Sequence, residues 1–200
     1  MDERPSIGIH GAAMRGILSL VLAAMAACGP AKPVGSYVSY SSPSGEISCE
    51  IASDWRMDKS EECLLQVSSP DSVGDFGAHI WLCRGSKVTA KSLAEHAAWQ
   101  RKNWEGDVNF GQDPVKPIKF GEFNGLVYSY TRTNALAARM PHRTTLAPLP
   151  VAYKETSIHF EGPGGRFYSI EYAAPTAIYN KHQPKLQHLL ETFRWIGAHD

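Results

Sequence analysis

One cysteine in this sequence sits in a context that specifies a covalent reaction. Cys28 follows Met25-Ala26-Ala27, a small-residue box of the kind cut just before a cysteine that receives lipid. Upstream, Arg15 supplies a positive n-region, and residues 17–24 are an unbroken run of apolar or small side chains. That run is shorter than the roughly 20 residues a membrane-spanning helix needs. It also has no polar face, and Gly29-Pro30 ends it, so a buried first helix fits poorly. A bacterial lipoprotein cysteine carries a diacylglyceryl group and as a rule a third chain. Two or more chains anchor stably where one binds only marginally. Residues 1–13 sit awkwardly before this signal, because Asp2 and Glu3 are acidic where an n-region is basic. Met14 is the expected start, and a long n-region ending in Arg15 is the alternative.

The other three cysteines, Cys49, Cys63 and Cys83, show no Cys-x-x-Cys spacing, and no histidine pair completes a zinc pattern. In an oxidising envelope two of the three are expected to pair. Cys63 and Cys83 lie on consecutive predicted strands at similar distances from the turn between them and are the first choice. Cys49 with Cys63 comes next, and three free buried thiols are a further alternative, since free Cys packs as a small hydrophobe. No Gly-x-Ser-x-Gly elbow, His-Glu-x-x-His motif or P-loop occurs. Gly162-Pro-Gly-Gly165-Arg166 resembles a phosphate cradle, but no helix follows it, so it reads as a hairpin turn. His182 and His188 are six apart on a predicted helix and point to different faces. His79 and His159 fall in predicted strands, where a satisfied or exposed imidazole is the default. Trp81, Trp99, Trp104, Tyr128, Tyr130, Tyr168 and Tyr172 read first as the core and its rim, and second as the walls of a ligand groove. No catalytic residue, metal site or cofactor is expected, and the chain is read as a non-enzyme.

The elements that must carry these residues follow from periodicity. Residues 1–27 are the signal, 28–36 the lipidated cysteine and a Pro/Gly tether, and 37–197 one domain. Strands are expected at 47–51, 63–68 and 78–83, from period-two alternation and β-branched or aromatic runs. A helix is expected over 88–104. Thr89 is its N-cap with a Val88/Leu93 staple, and Ser92-x-x-Glu95 is a rival capping box. Leu93, Ala97 and Trp104 share its apolar face. A hairpin over 117–131 turns at Asn124-Gly125, and a second one over 151–173 turns at 162–165. A last helix opens at Pro184 and continues through Leu186, Leu189, Leu190 and Phe193. Strands, a helix, four strands and a helix make an α+β fold, an antiparallel β-sheet flanked by helices.

Charge and loops narrow the partners. The 200-residue chain holds 20 basic and 20 acidic residues, and residues 1–27 contain two of each. That balance gives no electrostatic reason to expect nucleic acid. Residues 134–150 hold three prolines and a long excursion between paired strands, and loops of that length are uncommon unless functional or unselected. Arg139, Met140, His142, Arg143 and Leu146 offer charge and apolar anchors of the kind enriched at protein interfaces. They are the candidate interface.

The C-terminal stretch RFYSIEYAAPTAIYNKHQPKLQHLLETFRW, ending in Thr192-Phe193-Arg194-Trp195, resembles the PsbP/Mog1-like superfamily. The stretch 43–55, the helix start near 88–93 and the hairpin of 120–130 resemble it in the same order, so the likeness spans roughly residues 37–196. The resemblance implies an antiparallel sheet sandwiched by helices (α/β/α) and an accessory or binding role. It implies no catalytic motif. The 134–150 insertion and the domain cysteines depart from the simplest members. The expectation is therefore an envelope lipoprotein, anchored through Cys28 in the outer membrane and facing the periplasm, that binds an envelope protein partner. A small-ligand or lipid carrier is the alternative, and a hydrolase the weaker one.

Overall fold

The structure is a computed structural model that describes residues 35–74, 76–85, 90–104, 111–133 and 151–197. Cys28 and the 134–150 segment lie outside them. Among the described residues the elements are β1 (Tyr37–Ser41), β2 (Ile47–Ala52), β3 (Arg56–Met57), β4 (Cys63–Val73), β5 (Phe76–Arg84), α1 (Leu93–Trp104), β6 (Gly111–Gln112), β7 (Lys116–Phe120), β8 (Phe123–Thr133), β9 (Ala152–Gly162), β10 (Arg166–Pro175), α2 (Thr176–Thr192) and β11 (Arg194–Trp195).

Strands β3-β4-β5-β10-β9-β8-β6 form the main antiparallel sheet, with β7 also paired to β8, and β1-β2-β11 form a smaller one. Register decides what each face carries. Tyr168, Ile170 and Tyr172 of β10 lie opposite Phe160, Ile158 and Thr156 of β9, and opposite Leu82 and Ile80 at the β5 side. The apolar and aromatic side chains among these form one buried cluster with Tyr179, Leu186, Leu189 and Phe193 from α2 and its end, and with Ile47 and Cys49 of β2. The alternate residues, Glu155, Ser157 and His159 on β9 with Tyr128 and Tyr130 on β8, point to the other face. There α1 contributes the buried His96 and Ala97. Two helices on opposite faces of an antiparallel sheet make the α+β architecture.

Cys63 and Cys83 stand opposite each other in the β4–β5 register and are disulfide-bonded, while Cys49 is a buried free thiol. Burial pushes that thiol up to about 12, with the charge of Glu50 adding to it.

Several expected boundaries move, each for a local reason. Helix α1 begins at Leu93, behind the cap expected at Ser92, while Val88 and Thr89 lie outside the described residues. The Ser92 hydroxyl accepts the Glu95 amide at 3.2 Å, and the Glu95 carboxylate accepts the Lys91 amide at 2.8 Å. The first hairpin turns at Gly121-Glu122, with Phe120 opposite Phe123, and not at Asn124-Gly125. Gly121 takes the positive φ of +54° that the turn needs. Gly125 lies inside β8, where a Cβ would stand 2.6 Å from the His159 carbonyl oxygen, so it serves a close strand approach. Helix α2 begins straight after Pro175, and Pro184 is interior to it. The two turns before Pro184 are held because Tyr179 buries against Tyr172, whose hydroxyl donates to the Tyr179 carbonyl at 2.6 Å. Strand β4 continues through the expected loop to Val73 by way of a bulge. The Ser69 hydroxyl supports that bulge, accepting the Ala78 amide at 2.9 Å and donating to the Asp71 carbonyl at 2.7 Å.

Candidate functional site

The strands that flank the 134–150 segment are described, and they are neighbours: Thr133 pairs with Ala152 across β8 and β9. Immediately inside that pair lies a polar cluster that a solvated sheet face would not contain. Arg132 is 2% exposed and Glu155 is 1% exposed. The Glu155 carboxylate accepts a hydrogen bond from Arg132 Nη2 at 2.8 Å and another from the Tyr130 hydroxyl. The Arg132 guanidinium lies 5.5 Å from the Tyr130 ring centroid, in cation–π range. Burial pushes the Tyr130 hydroxyl well above its ordinary range and the Glu155 charge adds to the rise, so it stays a donor. Tyr153 extends the cluster sideways. Its hydroxyl donates to the Gly77 carbonyl at 3.1 Å and its ring meets Phe76 edge-on. A desolvated ion pair contributes little net stability, but breaking one costs several kcal/mol because the remaining charge is stranded. The pair therefore fixes geometry at the foot of the segment.

Farther along the same face, two imidazoles meet. His96 from α1 and His159 from β9 are both fully buried, with ring centroids 5.4 Å apart in an edge-to-face arrangement. His159 Nε2 lies 3.3 Å from the Tyr128 hydroxyl, and the two rings stack. His96 stacks on Phe167 at 5.1 Å. A Cβ at Gly85 would stand 2.6 Å from His96 Nε2, so only glycine there lets the ring seat. Burial pulls the His159 imidazole down to about 3, with the neighbouring His96 adding to the fall, and burial lowers His96 as well. Burial also pushes the Tyr128 hydroxyl up, against the hydrogen bond from Ser157. A general base works best with a pKa near the operating pH. These groups are displaced from it, imidazole downward and phenol upward, so near neutrality His159 pairs with the Tyr128 hydroxyl and His96 packs on its ring neighbours without exchanging protons.

The other histidines hold elements together. His182, almost fully buried, lies 2.9 Å from the Asp71 carboxylate, which Lys181 also reaches at 2.6 Å. His188 lies 2.7 Å from Glu50 and stacks on Tyr37 at 3.6 Å. With Lys185 on Asp54 at 3.1 Å, these contacts clip α2 to β2, to the turn after it and to the β4 bulge. Among the described residues no three His, Cys, Asp or Glu side chains gather as a metal site. Tyr128, Tyr130 and Tyr172 are buried in the two faces of the sheet and wall none of the clefts described below, while Tyr168, also buried, lies behind one of them. Two clefts open elsewhere. One of about 550 Å3 lies between Tyr40, Pro43, Met57 and Leu64, and one of about 380 Å3 lies beside Trp195 and the β9–β10 turn.

Arg139, Met140, His142, Arg143 and Leu146, like Cys28, lie outside the described residues. Reasoning from sequence missed the foot of their segment: Tyr130, Arg132, Glu155 and His96. The available signal was Tyr128-x-Tyr130-x-Arg132 facing Glu155-x-Ser157-x-His159, bulky and charged on alternate positions where a solvated face carries small polar residues.

No protein-family model matches the sequence, and no curated relative does. Solved structures do match. LpqN of Mycobacterium tuberculosis, described as involved in cell envelope biogenesis, superposes with a TM-score of 0.56 at 8% identity, over 81% of this chain and 91% of that one. The Ran-binding protein Mog1p of Saccharomyces cerevisiae gives 0.50 at 9% identity, over 80% and 96%. The cyanobacterial PsbP of Synechocystis gives 0.48 at 8%, over 84% and 96%. At such identities the likeness is one of architecture: the chain has the PsbP/Mog1-like fold.

Proposed function

We propose that this protein is a lipid-anchored subunit of the bacterial cell envelope that binds another envelope component and catalyses no reaction. Cys28 is its anchor, in the outer membrane facing the periplasm, and the 134–150 segment is its contact surface. The observation that carries the reading is the foot of that segment, where Thr133 pairs with Ala152 above the buried Arg132–Glu155–Tyr130 cluster. Fixing both ends of a recognition segment lowers the ordering entropy that binding must overcome. Arg139, Met140 and Arg143 are residue types enriched in interface cores. The neutral, locked state of His96, His159 and Tyr128 supports a binding role over an acid–base one. Likeness of fold to LpqN supports the envelope setting.

The test compares wild type with Cys28→Ala in the native host, by membrane fractionation and by mass spectrometry of co-purified proteins and lipids. The expected result is that wild type fractionates with the outer membrane together with a stoichiometric protein partner, and that Cys28→Ala loses the membrane. Equal membrane association in both would refute the anchor. A carrier of apolar small molecules is the second reading, favoured by the 550 Å3 cleft beside Met57 and Leu64. A co-purified lipid with no protein partner would select it.

A further inference from the structure

The cleft of about 380 Å3 forms where the β9–β10 turn meets the end of the chain's last strand. Its size falls within the roughly 300–1,000 Å3 of small-molecule sites. Three separate stretches wall it: Ser44 and Glu46 ahead of β2, Pro163 and Arg166 about the turn, and Trp195 on β11, with Tyr168 behind. The Trp195 and Tyr168 rings meet at 65° with centroids 5.1 Å apart, so the buried Tyr168 braces the half-buried Trp195 from behind. Glycines keep the turn low at the mouth. A Cβ at Gly162 would stand 2.5 Å from the Tyr168 ring, and Gly164 takes a φ of +70° with nothing within 4 Å of its missing Cβ. Glu46 is fixed twice. Its carboxylate accepts a charge-assisted hydrogen bond from Arg84, and its carbonyl accepts the Ile196 and Gly197 amides at 2.8 and 3.0 Å. Arg166 is exposed and makes no ion pair among the described residues.

We propose that this cleft binds a pyranose sugar bearing a carboxylate. The C–H face of a pyranose packs on an aromatic ring, which the half-buried Trp195 supplies with the Pro163 ring beside it. Sugar hydroxyls donate to the fixed Glu46 carboxylate and exchange hydrogen bonds with the Ser44 hydroxyl. A carboxylate matches the planar fork of the Arg166 guanidinium, which donates two parallel bonds to it where an ammonium would not. A simple anion would make no use of the Trp195 ring, a neutral sugar would make no use of Arg166, and a flat aromatic ligand would bring no donor of its own to the Glu46 carboxylate. The sequence treats 162–166 as a hairpin turn. The structure keeps it a turn and adds that the turn is one wall of a binding cleft, on residues distinct from the 134–150 segment.

The test uses the full chain in detergent with 5-fluorotryptophan in place of its five tryptophans. The Trp195 fluorine resonance is assigned by its loss in Trp195→Phe. Glucuronic acid is titrated in, with glucose and acetate as separate arms. The expected result is a saturable shift confined to the Trp195 resonance, with a dissociation constant on the order of 1 mM for a ligand of about 13 heavy atoms. Glucose is expected to bind about fivefold more weakly, and Arg166→Gln to abolish that preference by weakening glucuronic acid about fivefold while leaving glucose unchanged. Arg166 is exposed, so this variant does not disturb the core. The proposal is overturned if no saturable shift appears at tens of times that concentration, if acetate shifts the resonance equally, or if Arg166→Gln keeps the preference.

Discussion

Replacing Glu155 by Gln tests whether the foot of the 134–150 segment is held as described. The change keeps the side chain's shape, removes its charge and turns one of its two accepting oxygens into a donor. Arg132 would then be left as a buried guanidinium, 2% exposed, without the carboxylate that now sits 2.8 Å from its Nη2. Removing one partner of a buried pair costs about 3–5 kcal/mol, against less than about 1 kcal/mol for an exposed pair. For a domain of this size each kcal/mol moves the melting temperature by roughly 2–4 °C, so Glu155→Gln should lower it by roughly 6–20 °C. Lys181→Gln is the matched control. Its partner Asp71 is shared with His182 and its own side chain is 64% exposed, so its shift should be a few degrees at most. The triple variant Tyr130→Phe, Arg132→Met, Glu155→Leu removes charge and donors together and should recover most of the loss, because a well-packed apolar set replaces a buried pair at little cost. Thermal unfolding followed by circular dichroism measures all three. A Glu155→Gln shift no larger than that of Lys181→Gln, or a triple variant worse than Glu155→Gln, would refute the reasoning.

Other outcomes follow from the same structure. Reducing the Cys63–Cys83 bond, which closes a separation of 20 residues, should cost about 3 kcal/mol, read as a lowered midpoint in the presence of reductant. The unfolded His159 takes a proton at its ordinary 6.5 and the folded one not until about 3, so between those values the unfolded state binds more protons. Stability should therefore fall as pH drops from 6.5 toward 3, by up to about 1.4 kcal/mol per pH unit from His159, with His96 contributing in the same direction. Denaturant midpoints at pH 7 and 5.5 check this, and His159→Gln should flatten the difference. Gly125→Ala should destabilise clearly, because its methyl would stand 2.6 Å from a backbone oxygen of β9, whereas Gly164→Ala, with open space around it, should bear only the strain of its positive φ.

The parts of the fold legible in the sequence are those governed by local rules. Alternation marked the strands around Cys49, Cys63 and Cys83, and the α+β class followed from the order of elements. Where two local signals competed, the sequence could not rank them. Ser92 caps α1 because its hydroxyl and Glu95 satisfy two amides at once, a pairing that spacing alone did not rank above a cap at Thr89. Asn124-Gly125 has the composition of a tight turn, but Gly125 is spent on the approach of β8 to the His159 carbonyl, and Gly121 takes the turn instead. The candidate site was least legible because burial of Arg132, Glu155 and His159 is decided by what covers that sheet face. Alternation gives the face each residue points to and is silent on whether the face is wet. His96 is the sharpest case: on a helix of mixed polarity it reads as a surface residue, and its burial depends on the missing Cβ of Gly85, eleven positions earlier in the chain.

The most direct measurement of the central claim is partner capture in the native host by a chain in which 134–151 is replaced by a short glycine-serine turn joining Thr133 to Ala152. These residues already pair across β8 and β9, so the turn should close without disturbing the sheet. In-cell cross-linking and quantitative mass spectrometry would compare it with wild type, with membrane anchoring and thermal midpoint recorded in parallel. The account predicts a folded, membrane-bound variant that has lost the stoichiometric partner. Partner recovery at the wild-type level would contradict it.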